Sequence, residues 1–190
     1  SIKNMNVVIK KILKASALLV IAVFLFQFFS ITSAFAATRT WTGATSGSWS
    51  VGSNWSGGVA PVTGDDLVFP GGASNFSNTN DLTENTIINS ITLSGSGYTL
   101  SGNAIILGAG LAGITDSASS GGNTIALDIR LDNVSPIFRD IIVTNTAEAL
   151  TISGRIAGVG GFNKEGTGTL ILSGANTFGG ILKINVGVVN

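Results

Sequence analysis

Along this chain apolar residues recur at every second position in short runs that end on glycine, serine or asparagine. Ile91-Thr92-Leu93-Ser94-Gly95 is one such run, and related units stand at 98–102, 150–154 and 170–174. A period of two puts alternate side chains on opposite faces of an extended strand, and the small polar residues between runs supply turns. The last two units lie 20 residues apart, about one coil of a β-solenoid, so their divergent repetition predicts stacked rungs. Between the units, Ile125, Leu127, Ile129 and Leu131 alternate with Asp128, Arg130 and Asp132, which predicts an apolar inner face and a charged outer one. Residues 75–89 are polar, rich in Asn and Thr, and predict loops with one short strand. Leu182, Ile184, Val186 and Val188 resume the alternation with no polar cap after them, and an open rung of this kind predicts end-to-end self-association.

The densest part of the pattern is 160–187. It reads Gly160-Gly161-Phe162, then Lys164, then Gly166-Thr167-Gly168-Thr169-Leu170-Ile171-Leu172-Ser173-Gly174-Ala175-Asn176-Thr177-Phe178, a glycine turn, and Ile184-Asn185-Val186-Gly187. In order and spacing this stretch resembles the autotransporter-associated β-strand repeat. It departs from the family at the turn, where Gly179-Gly180-Ile181 replaces the usual Thr or Ser followed by two glycines. The resemblance implies an all-β, right-handed parallel β-helix of the passenger type, which Gram-negative bacteria export to the cell surface, and it implies no shared catalytic residues.

The leader agrees with that address. Lys10, Lys11 and Lys14 precede an uncharged apolar run from Ala15 to Phe29, and Ala34-Phe35-Ala36 follows as a small-x-small cleavage site. A positive segment, an apolar core and such a site make a signal peptide, here a helix expected over 1–36 and cleaved before Ala37. An uncleaved anchor is the alternative, because no charge lies between Lys14 and Arg39. After the leader, a Trp-rich capping region with the first strands is expected over 37–90 and the solenoid proper over 91–190. The released chain is not expected to span a membrane.

Composition and charge narrow the chemistry. The 190 residues include no Cys and no His, which removes thiolate and imidazole catalysis and the ordinary zinc sites. Four of the ten basic residues, Lys3, Lys10, Lys11 and Lys14, lie in the leader, leaving six basic against ten acidic and a net charge of −4. Nothing there provides an electrostatic footprint for nucleic acid. Gly121-Gly122-Asn123-Thr124-Ile125-Ala126 opens like a calcium-binding nonapeptide but has Thr124 and Ala126 where that motif needs Gly and Asp, so no metal or other cofactor is expected.

Three groups remain as candidates. Trp41, Trp49 and Trp55 fall within 15 residues, and flat indoles at that density point either to a sugar-stacking platform or, the preferred reading, to a cap over the first rung. Asp65 and Asp66 are adjacent carboxylates, but neighbours on a strand point to opposite faces and cannot flank one glycosidic bond; turn capping is the preferred reading. Asp128 and Asp132 around Arg130 read as a solvated charged face. No catalytic residue is assigned. The expected function is an exported, outer-membrane-associated or secreted surface protein of structural or adhesin-like kind, with cell-surface polysaccharide or a host or neighbouring cell as partner. The alternatives are a carbohydrate-binding module and a β-helical polysaccharide-degrading enzyme.

Overall fold

A computed structural model of the protein describes residues 36–108, 112–132 and 138–190. The signal-peptide helix expected over 1–36 lies outside the described residues except for Ala36. Seventeen short strands follow one another: β1 (Thr38–Thr40), β2 (Asp66–Phe69), β3 (Ser77–Asn80), β4 (Thr86–Ile88), β5 (Ser90–Leu93), β6 (Thr99–Gly102), β7 (Ile105–Leu107), β8 (Ala112–Asp116), β9 (Asn123–Ile125), β10 (Ile129–Arg130), β11 (Phe138–Val143), β12 (Ala149–Ile152), β13 (Ile156–Ala157), β14 (Gly161–Glu165), β15 (Thr169–Leu172), β16 (Leu182–Ile184) and β17 (Val188–Val189). The only helical turn among the described residues is a 3₁₀ turn at Gly52–Asn54, and no helix there is long and apolar enough to cross a membrane.

Between β2 and β15 every third strand pairs; β1 joins β2, β16 joins β14 and β17 joins β15, and all of these pairings are parallel. The chain thereby builds three sheets, ordered β1-β2-β5-β8-β11-β14-β16, β3-β6-β9-β12-β15-β17 and β4-β7-β10-β13. This is a parallel β-solenoid of about five coils. β2 to β4 form its first coil, with β1 paired on β2. Coil length is not fixed at 20. Successive partners Leu67, Ile91, Ile114, Ile141, Lys164 and Ile184 are 24, 23, 27, 23 and 20 residues apart, because the corners between strands differ in length while the register on each face does not.

That register stacks like on like. Ile125, Ile152 and Leu172 continue a column from Leu100, and Leu150 and Leu170 lie on one another beside it. Burial of each Leu or Ile contributes roughly 1.5–3 kcal/mol before chain entropy is subtracted. The alternation at 125–132 also behaves as expected, with all four apolar residues buried, although it turns a corner after Ile125 and divides between β9 and β10. An inward phase survives the corner because the neighbouring coils hold both strands.

The polar stretch 75–89 holds two strands, β3 and β4, where one was expected. The sequence lacks apolar alternation there because the inward positions of β3 are asparagines. Asn78 accepts the Trp49 indole N–H at 2.7 Å, and Asn80 donates to the Asn103 carbonyl at 2.7 Å and accepts from the Leu82 amide. At the other end, β16 and β17 leave Ile181, Ile184, Val186 and Val188 exposed, and Leu172 is only half-covered.

The fully buried Ile152 is therefore the sharper probe of strand phase. Ile152→Asp is expected to lower stability by about 4 kcal/mol or more, since it strands a charge in the apolar interior. The outward Thr151→Asp should stay within about 0.5 kcal/mol. Denaturant midpoints of the two variants check this, and equal losses would contradict the phase.

Candidate functional site

The three tryptophans converge on the first coil. Loop 42–65 folds back so that Trp41 and Trp55 form an antiparallel bridge, and all three indoles are buried. Trp41 and Trp55 meet edge to face with centroids 5.0 Å apart, and Phe69 lies 5.8–6.1 Å from each of the three rings. The layer continues through Tyr98, 5.4 Å from Phe69 and 4.7 Å from Phe76. Each indole N–H has an internal acceptor: the Asn75 carbonyl, Asn78 Oδ1 and the Trp49 carbonyl. Asn54 ties the loop together, accepting the Thr45 and Ser46 amides and donating to Ser46 Oγ and the Ser48 carbonyl. With their faces packed on one another and on Phe69, the indoles close the end of the apolar column and offer no open face to a sugar ring.

The adjacent acids diverge. Asp66 accepts Asn89 Nδ2 and Ser90 Oγ on one side. Asp65 is buried on the other and gathers the amides of Ala37 (3.0 Å) and Val62 (3.0 Å) and Arg39 Nε (2.7 Å). Burial alone would push the Asp65 carboxyl up, but these donors and the Arg39 charge together hold it below the usual carboxylate range. It closes the 62–65 turn and also fastens β1 to the body. Around Arg130, the pairs Arg130–Asp132 (3.1 Å) and Arg155–Asp128 (3.4 Å) are solvent-exposed, as the charged outer face predicts.

Among the described residues no three His, Cys, Asp or Glu side chains converge to hold a metal ion. What sequence reading missed lies in the interior. Asp116 occupies the inward position between Leu93 and Val143, and Glu148 enters the same corner from the coil below. Both are buried. Asp116 receives Asn123 Nδ2 on both oxygens at 3.1 Å and the Ala118 amide at 3.1 Å, while neither Glu148 oxygen receives a full hydrogen bond. Burial and then the Asp116 charge push the Glu148 carboxyl above its ordinary range, with weak opposition from the Gly122 amide. Burial likewise raises Asp116 against its Asn123 and Ala118 bonds. Arg139 is buried on the inward phase of β11, its Nε donating to the Gly108 carbonyl at 2.7 Å. The available signal was phase: Asp116, Arg139 and Lys164 all fall where their strands place apolar residues.

Lys164 stands in register with Ile141, and its ammonium is spent on backbone. It donates to the carbonyls of Glu165 (2.7 Å), Gly166 (2.7 Å) and Val186 (3.2 Å), the last in the following coil. Gly187 passes so close that a Cβ there would lie 2.7 Å from Nζ, and its φ of +83° also favours glycine. Two residues further from this corner, Asn176 Oδ1 accepts the Ile156 amide and Phe178 stacks on Phe162 at 5.3 Å. Residues 162–190, which hold Phe162, Lys164, Asn176, Phe178 and Gly187, match the passenger-associated-transport-repeat family. The chain carries an autotransporter-passenger repeat. A 68-residue segment is also 37% identical to the adhesin BmaC autotransporter of Brucella suis biovar 1 (strain 1330). That segment is 36% of this chain and 2% of the adhesin, so the chain spans a small fraction of its relative. No solved structure matches the chain. The repeat's Lys, Gly, Asn and aromatic positions thus have one physical meaning, the sealing of one coil onto the next.

The Glu148 corner gives a pH test. A carboxyl whose folded value is raised contributes stability that is fully present below its unfolded value, near 4.5, and is lost as pH rises through the raised value. Glu148→Gln removes that loss. Its melting midpoint should exceed the parent's at neutral pH, by about 2–4 °C for each kcal/mol recovered, and should converge with the parent's below 4.5.

Proposed function

We propose that this chain is part of an exported cell-surface passenger whose solenoid acts as a stiff adhesive or structural arm, without catalysis. The observation that supports this most is the outer face of the β3-β6-β9-β12 sheet. There Ser77, Thr99, Thr124 and Thr151 stand in one column of strand partners, exposed or half-exposed, with Thr79, Ser101 and Ser153 alongside. Parallel pairing spaces such hydroxyls about 4.8 Å apart. An uncharged ladder of this kind offers many weak, repeated hydrogen bonds, which suits a polyhydroxylated polymer on a cell surface and does not suit nucleic acid.

The passenger repeat and the similarity to an autotransporter adhesin support the address. The expected signal peptide belongs to the same reading: secretion through the inner membrane, then display at or release from the outer one. The acids that invite a catalytic reading, Asp65, Asp66, Asp128 and Asp132, are each engaged in structural bonds. The exposed apolar residues on β16 and β17 fit edge-to-edge contact with another rung, including that of a second copy.

The deciding measurement is binding of the exported chain to arrayed cell-surface glycans, with product analysis on the same polymers. Capture without cleavage is expected, and Thr124→Glu with Thr151→Glu should weaken it by about tenfold or more, the equivalent of 1.4 kcal/mol. Release of new chain ends would make the protein an enzyme. Binding unaffected by the double variant would remove this face from the interaction.

A further inference from the structure

Buried Asp65 is tied to the residue at which the released chain would begin. Its carboxylate sits 1% exposed at the head of β2, and one of its oxygens accepts the backbone N–H of Ala37 at 3.0 Å. Ala37 is the residue at which the Ala34-Phe35-Ala36 site would begin the released chain. It is also tied from its other side, since its carbonyl accepts the Asp66 amide at 2.9 Å. We propose that leader cleavage converts the Ala37 amide into an α-ammonium that forms an ion pair with buried Asp65, so that processing completes the clasp holding β1 on the first coil. The inference rests on the exported reading.

The chemistry is a hydrolysis. Water adds across the Ala36–Ala37 peptide bond, leaving a carboxylate on Ala36 and, with the transferred proton, an ammonium on Ala37. One neutral donor at 3.0 Å is thereby replaced by a group with a full positive charge and three N–H bonds, at the same position. The charged groups facing this nitrogen are Asp65 and Arg39, which share the carboxylate through Nε at 2.7 Å, while Asp66 is turned away to Asn89 and Ser90. A carboxylate fed by Arg39, Val62 and Ala37 has lone pairs enough for a guanidinium and an ammonium together. Such a pair stabilises the fold at and below the ordinary α-amino range, about 7.7–8.0, and that contribution is lost as pH rises through the amine's raised value.

The experiment separates the two parts of the claim. Terminal sequencing of exported protein is expected to give Ala37, and any other start overturns the cleavage site whatever the clasp does. The pH dependence of acylation of the terminal amine then reads its titration. In the processed chain it should titrate above about 8, with slowed labelling, and Asp65→Asn should return it to the ordinary range. Arg39→Gln leaves the carboxylate in place, removes its competing cation and should move the amine further upward, so a failure of Asp65→Asn to fold does not close the question. An amine of ordinary reactivity in the parent, or one that Arg39→Gln leaves unmoved, overturns the ion pair even if Ala37 is the terminus.

Discussion

The rest of the structure depends on a single constraint, the coil-to-coil register that seats each inward side chain on the inward side chain of the preceding coil. Because pairing is parallel on all three sheets, an inward position in one coil meets inward positions in the coils above and below, and an error in phase would turn a whole column outward. Columns such as Leu67-Ile91-Ile114-Ile141 are the result. The backbone hydrogen bonds that link coils would be available to many sequences. The apolar columns make one register far better than its neighbours.

Polar residues in that interior occur where the columns meet the corners. The strands leave carbonyls and amides at each corner without ladder partners, and an inward polar side chain can reach them. Asn123 links the Tyr98 amide, the Gly95 carbonyl and Asp116; Arg139 takes the Gly108 carbonyl; Lys164 takes three carbonyls from two coils. Glu148 departs from the rule, since it arrives at its corner with acceptors where donors are needed. Asp65 and Glu148 are consequently opposite cases: both are buried, but donors and the Arg39 charge hold the first below the usual carboxylate range, whereas burial and then the Asp116 charge push the second above it.

The sequence made the periodic parts of this plain and concealed the aperiodic ones. Alternation over 91–95, 125–132 and 150–154 carries its own phase, because apolar inward residues and polar outward ones differ in kind. The stretch 75–89 showed one strand where there are two, because Asn78 and Asn80 face inward for the sake of the Trp49 indole and the Asn103 carbonyl, a purpose visible only when the loop 42–65 is in place. The tryptophans were recognisable as a cluster, and their density alone left cap and platform both open; that all three are buried with internal N–H acceptors is visible only in the fold. Asp116 and Lys164 were readable in principle, as charges on an apolar phase, but a charge reads as a solvated face until its phase is weighed above its type. The Asp65 bond to Ala37 joins residues 28 apart across an irregular loop, and no local pattern signals it.

This division between periodic and aperiodic parts bears on how such a chain reaches its fold. Each coil pairs with residues 20 to 27 positions away, so adding a coil closes a loop of similar length every time, and the cost does not grow as the solenoid lengthens. The first coil is different, since among the described residues only β1 and the aromatic loop lie over it. The aromatic layer serves as that cover: Trp41, Trp49 and Trp55 rest on Phe69, the Trp41 and Trp49 N–H groups are satisfied by residues 75 and 78 of the coil they cover, and that of Trp55 by the Trp49 carbonyl. Cap and first coil therefore require each other, whereas every later coil requires only the one before it. A fold with no cysteine to cross-link it is thereby given one demanding step at its N-terminal end and a series of nearly equal ones after it.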